Sequence, residues 1–266
     1  VDVFPARDEV DAHRSTLAGG ETQGCTCQDG PVDRRPTPWI LAGLALLLAM
    51  AAAALTRLVL ADGPGLGMPL TAGPPAVSQA DDLLLATNAY TFAHDHTWVV
   101  PVTKVFAVLG SWIVLVPATV GVVVVLARRG HGYWAWWVGL CGMGGWMISQ
   151  SVKHLIDRQR PVWPDPFEVL TSPSFPSGHS MAGIYGYVVF GIVALALLDS
   201  RWPGIALITV GLLMGPSRVL LGVHWPTDVL AGWLFASAWI SACGAGVLWV
   251  REWRRASTPQ PADTPL

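Results

Sequence analysis

The chain has 266 residues, of which 52% are hydrophobic and only 13% charged, with fourteen Trp and a mean hydropathy of +0.47. That composition places it among membrane proteins. Sixteen Lys and Arg against eighteen Asp and Glu give a net charge of −2, which argues against a nucleic-acid partner because no basic excess is left to build a binding face.

In chain order, residues 1–38 form a polar, Gly/Pro-rich segment with both acids and bases and no apolar run for a signal-peptide core. They are expected to be a disordered cytoplasmic tail. Cys25 and Cys27 lie in it, but two thiols without a second ligand pair do not complete a tetrahedral metal site. Crossing a bilayer core of about 30 Å takes roughly twenty apolar helical residues. Six segments meet that length, at about 39–60, 102–127, 134–156, 179–198, 204–222 and 228–250. The expected architecture is therefore all-α, a six-transmembrane-helix bundle over residues 39–250 followed by a cytoplasmic C-terminal tail, 251–266. The fifth segment is the shortest, and Gly211, Gly215 and Pro216 blur its end; such residues are tolerated where neighbouring helices re-satisfy the backbone. Cys141 and Cys243 fall inside apolar segments and read as small hydrophobes.

The longest connection, about 62–101, contains Ser78 to Phe92, where Leu83, Leu84, Leu85 and Tyr90 stand beside Asp81 and Asp82. This reads as a short amphipathic helix on the outer surface. His94-Asp95-His96 follows it and, with no further ligands in view, reads as a solvated loop rather than a metal site.

Orientation follows from the short connections. With the N-terminus inside, Arg34, Arg35, Arg128, Arg129, Arg201, Arg251, Arg254 and Arg255 are cytoplasmic, eight cations, against three on the other side (Arg57, Lys104, Arg158) once the cations of the motifs below are set aside. Both termini are expected in the cytoplasm. Trp39, Trp98, Trp134, Trp202 and Trp253 fall near helix ends, as interfacial anchors do.

In that topology three motifs share the extracytoplasmic face. Lys153, Arg160 and Arg218 are cations in or beside apolar helices, where an unpaired charge costs at least about 2.5–3.5 kcal/mol. Asp157, Asp165, Glu168 and Asp228 could offset them as an ion-pair network, but a phosphoryl group fits better, because Arg offers a planar fork to two oxygens and Lys a point charge. Pro176-Ser177-Gly178-His179 marks a loop becoming a helix. Gly178 permits close backbone approach, Ser177 offers a hydroxyl or cap, and first-turn N–H groups suit an anion. His224 and Asp228 are four residues apart, so one carboxylate can hold the imidazole by its second nitrogen. Pro226 suits the first turn of the last span, leaving His224 just outside it. Two histidines supply a nucleophile and an acid/base for phosphoryl transfer without a metal ion or other cofactor. The residues leave those two roles interchangeable; only Asp228 favours His224 as the nucleophile.

These residues are similar to the three-part signature of the type 2 phosphatidic-acid phosphatase superfamily, the integral-membrane lipid phosphate phosphatases. It runs as Lys153-His-Leu-Ile-Asp-Arg-Gln-Arg160-Pro161, then Pro176-Ser-Gly-His179, then Ser217-Arg218 through His224 to Asp228. The resemblance covers 153–228 and implies a metal-independent phosphohydrolase with a phosphohistidine intermediate. By it His224 is the nucleophile, Asp228 its orienting partner and His179 the acid/base, while Lys153, Arg160, Ser177, Gly178 and Arg218 bind phosphate. The implied substrate is a lipid phosphate or diphosphate, a polyprenyl diphosphate before phosphatidic acid or phosphatidylglycerol phosphate, met at the outer face of the cytoplasmic membrane. Two rival readings are a vanadate-dependent haloperoxidase-like oxidase, disfavoured by six spans, and a non-catalytic anionic-lipid binder or transporter, which has no need of paired histidines.

Overall fold

The computed structural model describes residues 37–61 and 77–257. Cys25, Cys27, nearly all of the 1–38 segment, positions 62–76 of the long connection and the last nine residues lie outside the described residues. Every regular element among them is helical: α1 (Pro38–Ala61), α2 (Val77–Asp95), α3 (Val99–Leu109), α4 (Trp112–Arg128), α5 (Gly132–Ile156), α6 (Gly178–Ala182), a π-helical segment (Gly183–Val188), α7 (Val189–Leu197), α8 (Trp202–Leu220) and α9 (Pro226–Ala256).

Pro38–Leu60, Gly178–Leu197, Trp202–Leu220 and Pro226–Ala256 are long and apolar enough to cross a membrane, and the bent pair of α3 and α4, taken together, is a fifth candidate. These correspond to five of the six expected segments. α5 has the length, 25 residues, but its second half carries Ser149, Gln150, Ser151, Lys153 and His154, which dilute its apolar character.

The rod of α6, the π-helical segment and α7 forms the centre, burying Met181, Ile184, Tyr185, Val189 and Phe190. It packs closely on α8: a Cβ on Gly183 would stand 2.1 Å from the Gly211 carbonyl oxygen. Backbone approach of this kind lets dispersion contacts join helices where lipid removes the hydrophobic drive. α1 lies at the edge against α9, with Leu41 near Gly244. It leaves Trp39, Leu46, Leu47 and Met50 exposed, as a lipid-facing helix does. α2 is helical as expected but is more than a surface element, since Asp82 and Tyr90 are buried against the bundle.

The expected continuous helix 102–127 is broken by 48°. Ser111 is extended (φ −72°, ψ 151°), and its N–H and hydroxyl both donate to the Val108 carbonyl, at 3.1 and 2.6 Å. In a continuous helix that N–H would bond Ala107. Gly/Ser pairs are a recognised cause of such kinks, and Gly110-Ser111 is one. The break leaves backbone carbonyls open to side-chain donors, and two arrive from the central rod.

Helix connectivity sets the placement of charge. The end of α5, the start of α6, the end of α8 and the start of α9 meet at one end of the bundle. Arg128, Arg129, Arg201, Arg251, Arg254 and Arg255 sit on helix ends and turns at the opposite end.

Candidate active site

His224 sits in the turn between α8 and α9, which Gly222 makes at φ +70°. Pro226 starts α9, where its missing N–H costs nothing. Asp228 is then the third helical residue, and its Oδ2 accepts from the Trp225 N–H at 3.0 Å, a helix-starting bond. The same oxygen faces His224 Nδ1 at 3.3 Å.

The other ring nitrogen fixes the tautomer. Arg160 NH1 lies 3.0 Å from His224 Nε2, and a guanidinium only donates. Nε2 therefore presents its lone pair, and the proton of the neutral imidazole resides on Nδ1 against Asp228. Burial drives the His224 pKa from its ordinary 6.5 down to about 3, against the raising effect of Asp228 and with the help of the Arg160 and Lys153 charges. The ring is neutral at pH 7.

His179, the second residue of α6, is held differently. Its Nε2 donates to the Ala107 carbonyl at 3.0 Å, one of the groups opened by the helix break, while the Tyr187 hydroxyl donates to Leu109 O at 3.0 Å. Gly110 makes room for the ring, since a Cβ there would stand 2.6 Å from His179 Cδ2.

The cations are arranged around these rings. Lys153 Nζ donates to Pro173 O at 2.6 Å. Arg160 donates to the carbonyls of Ser172 and Val223, each at 2.7 Å. Among the described residues neither has a carboxylate partner. Burial, and then the nearby Arg218 charge, pushes the Arg160 pKa down to about 10 against the opposing pull of Asp228 and Glu168, the response of a buried cation crowded by another. Arg218 NH2 donates to Glu168 at 3.2 Å, while its buried Nε and NH1 have no acceptor among the described residues. Ser177 caps α6, its Oγ accepting from Ser180 N at 3.3 Å, and its own N–H bonds the Asp228 carbonyl at 3.0 Å.

His224, His179, Lys153, Arg160 and Gly178 line one cavity of about 720 Å³. Ser177, Arg218 and Asp228 are buried and do not line it. The cavity continues between α4 and α5 along Val116, Val120, Val123, Val124, Met143 and Trp146. From Lys153 back to Gly139 on α5 is fourteen residues, about 21 Å at 1.5 Å per residue.

Several contributing residues were not among the expected site residues. Arg158, counted above as a topological cation, is buried and donates to Asp228 Oδ1 at 2.6 Å and Asp82 Oδ2 at 3.0 Å. Ala107 acts through its backbone, which no side-chain pattern reveals; the Gly-Ser pair inside an apolar run was the available signal. The carboxylates divide: Asp228 and Glu168 take ion pairs, whereas Asp165 offers its backbone carbonyl to Tyr90 and His94. His94 also packs against Phe167 with centroids 4.4 Å apart and ring planes tilted by 32°, and His96 Nδ1 lies 2.9 Å from Phe92 O.

Residues 134–253 match the model of the PAP2 superfamily. An undecaprenyl-diphosphatase from Sulfolobus acidocaldarius is 46% identical over 100 residues, 36% of this chain and 46% of the relative. Phosphatidylglycerophosphatase B of Bacillus subtilis is 38% identical over 91 residues, 32% and 44% of the two chains. The decaprenylphosphoryl-5-phosphoribose phosphatase of Mycobacterium tuberculosis is 34% identical over 131 residues, 46% and 63%. The chain thus spans about half the length of the first two. A crystal structure of a transmembrane PAP2-type phosphatidylglycerolphosphate phosphatase from Bacillus subtilis shares the fold, with a TM-score of 0.62 over 82% of this chain and 98% of that one at 22% identity.

Proposed function

We propose that the chain, whose residues 134–253 match the model of the PAP2 superfamily, is a membrane lipid phosphate phosphatase acting through a phosphohistidine on His224, with polyprenyl diphosphate its favoured substrate. The observation that carries this reading is the single cavity in which two histidines and two cations open into an apolar groove between α4 and α5. A cationic end and an apolar run suit a phosphate attached to a long hydrocarbon. Relatives named for undecaprenyl diphosphate and phosphatidylglycerophosphate support the lipid class. Phosphatidic acid and phosphatidylglycerol phosphate are the next substrates in order.

In the proposed reaction the Nε2 lone pair of His224 attacks phosphorus while Nδ1 keeps its proton against Asp228. The bond from phosphorus to the leaving oxygen breaks, its electron pair goes with that oxygen, and His179 protonates it. Water then gives a proton to His179 and its oxygen to phosphorus, and the P–N electron pair returns to Nε2. Lys153, Arg160 and Arg218, with the first-turn N–H groups at Ser177-Gly178, would stabilise charge on the non-bridging oxygens. None of these steps uses a metal ion.

α5 completes a six-span bundle in this reading, with the Arg-bearing ends cytoplasmic and the site extracytoplasmic. Orthophosphate release from polyprenyl diphosphate in mixed micelles containing EDTA should be robust, and His224→Ala should reduce it to background. Turnover retained in that variant would contradict the mechanism.

A further inference from the structure

Asp82 lies on α2, outside the 134–253 match, yet it reaches the interior and is only 4% exposed. Its Oδ1 accepts from the Thr227 N–H at 3.0 Å, and its Oδ2 accepts from Arg158 NH2 at 3.0 Å and from the Thr227 hydroxyl. Arg158 NH1 in turn donates to Thr227 Oγ1 at 2.8 Å and to Asp228 Oδ1 at 2.6 Å, and its guanidinium carbon lies 5.5 Å from the Trp225 ring centroid. A chain of contacts thus runs from α2 through Arg158 to the carboxylate that faces His224.

We propose that Asp82 is a positioning residue for His224, acting through Arg158 to preserve the negative charge of Asp228 while holding that carboxylate in place. The inference rests on the phosphatase reading above. Its basis is a charge count. Arg158 alone would orient Asp228 but also cancel its charge, and a neutral pair cannot offset a cation. When Nε2 of His224 bonds to phosphorus with Nδ1 still protonated, the ring becomes an N-phosphoryl imidazolium. Asp82, Arg158 and Asp228 together are two carboxylates and one guanidinium, one net negative charge, which matches that positive ring inside a buried site. Removing one member of such a cluster leaves uncompensated charge in a low-dielectric interior. A simple tether for α2 has no requirement for a charge of this sign; Thr227 alone could receive a neutral side chain.

Asp82→Asn keeps the shape and removes the charge. Its kcat on polyprenyl diphosphate should fall by about 10- to 100-fold, by analogy with the loss of outer hydrogen-bond partners of metal-bound histidines and carboxylates, with KM within about twofold because the charge acts on the intermediate rather than on substrate capture. The amount of phosphohistidine trapped on alkaline quench should fall with kcat. In Asp82→Asn/Arg158→Gln the remaining Asp228 restores one net negative charge, so this double variant should turn over faster than Asp82→Asn alone. A structural tether predicts the reverse, with the double variant the more damaged. The proposal is overturned if Asp82→Asn keeps kcat within twofold of the parent, if the double variant is no faster than the single, or if both variants fail to fold. Absence of turnover in the unaltered protein would instead be failure of the phosphatase reading itself.

Discussion

The two histidines of the site are held by different parts of the molecule. His224 is fixed by side chains: Asp228 on one nitrogen and Arg160 on the other, with Arg158 and Asp82 behind. His179 is fixed by backbone: a carbonyl opened by the break between α3 and α4, and a glycine that leaves room for the ring. In the proposed mechanism the first arrangement would control charge, because the carboxylates would stabilise the cation that His224 becomes. The second would control aim, since a neutral carbonyl holds one nitrogen and would leave the other to exchange a proton with the leaving group or water. A nucleophile that must carry charge through an intermediate gains from ionic partners; an acid/base that must give up its proton again would be hindered by them.

The contrast can be broken at either end. The largest effect is expected from Asp228→Asn, which retains a hydrogen-bonding side chain but can direct its amide N–H at Nδ1 and so reverse the tautomer; kcat should drop by about 10³- to 10⁴-fold, as when a histidine-orienting aspartate is lost elsewhere. Steady-state phosphate release checks this, and a loss below tenfold would mean that charge is not what holds His224. A smaller loss, about 10²-fold in kcat, is expected from Gly110→Ala, whose Cβ would meet His179 Cδ2 at 2.6 Å and push the ring out of line. Its predicted signature is selective: phosphohistidine should still be formed from a substrate with a good leaving group, such as an aryl phosphate, while slow release from lipid alkoxides reports the misplaced acid. Equal loss on both substrates would remove the distinction between the two histidines.

The smallest effect is on stability. His224 has a native pKa of about 3 against 6.5 in the ordinary range, so between those values the unfolded chain binds the extra proton and the folded chain does not. Stability then rises with pH across that window and is lost as pH falls below 6.5. The thermal midpoint should decline from pH 7 to pH 4, and the decline should be shallower in His224→Gln. Parallel curves would show that the buried neutral ring is not the source.

Side-chain chemistry was more legible in the sequence than backbone chemistry, and these two histidines illustrate why. The cations, the Pro-Ser-Gly-His turn and the His224–Asp228 spacing announce themselves, because a charge or imidazole within an apolar helix needs a reason. Their meeting at one end of the bundle follows from counting helices and turns. Ala107 was invisible: its identity is irrelevant, and only the local unwinding at Gly110-Ser111 makes its carbonyl available. Asp82 was visible but misread. An acid beside Leu83, Leu84 and Leu85 fits a surface helix equally well, and its partner Arg158 lies 76 residues away, a separation that periodicity does not bridge. The apolar segments themselves behaved similarly. Those at 39–60 and 179–198 look alike in hydropathy, yet one is the exposed edge helix and the other the buried centre; the difference lies in the glycines that admit a neighbour's backbone, as at Gly183 and Gly211.

The most direct test is to trap the covalent intermediate. Protein mixed with polyprenyl diphosphate carrying a labelled terminal phosphate, quenched in alkali within the first turnover and mapped by mass spectrometry, should carry the label on His224, with none in His224→Ala. Label on any other residue, or full turnover with no phosphorylated protein at any quench time, would contradict a nucleophilic His224.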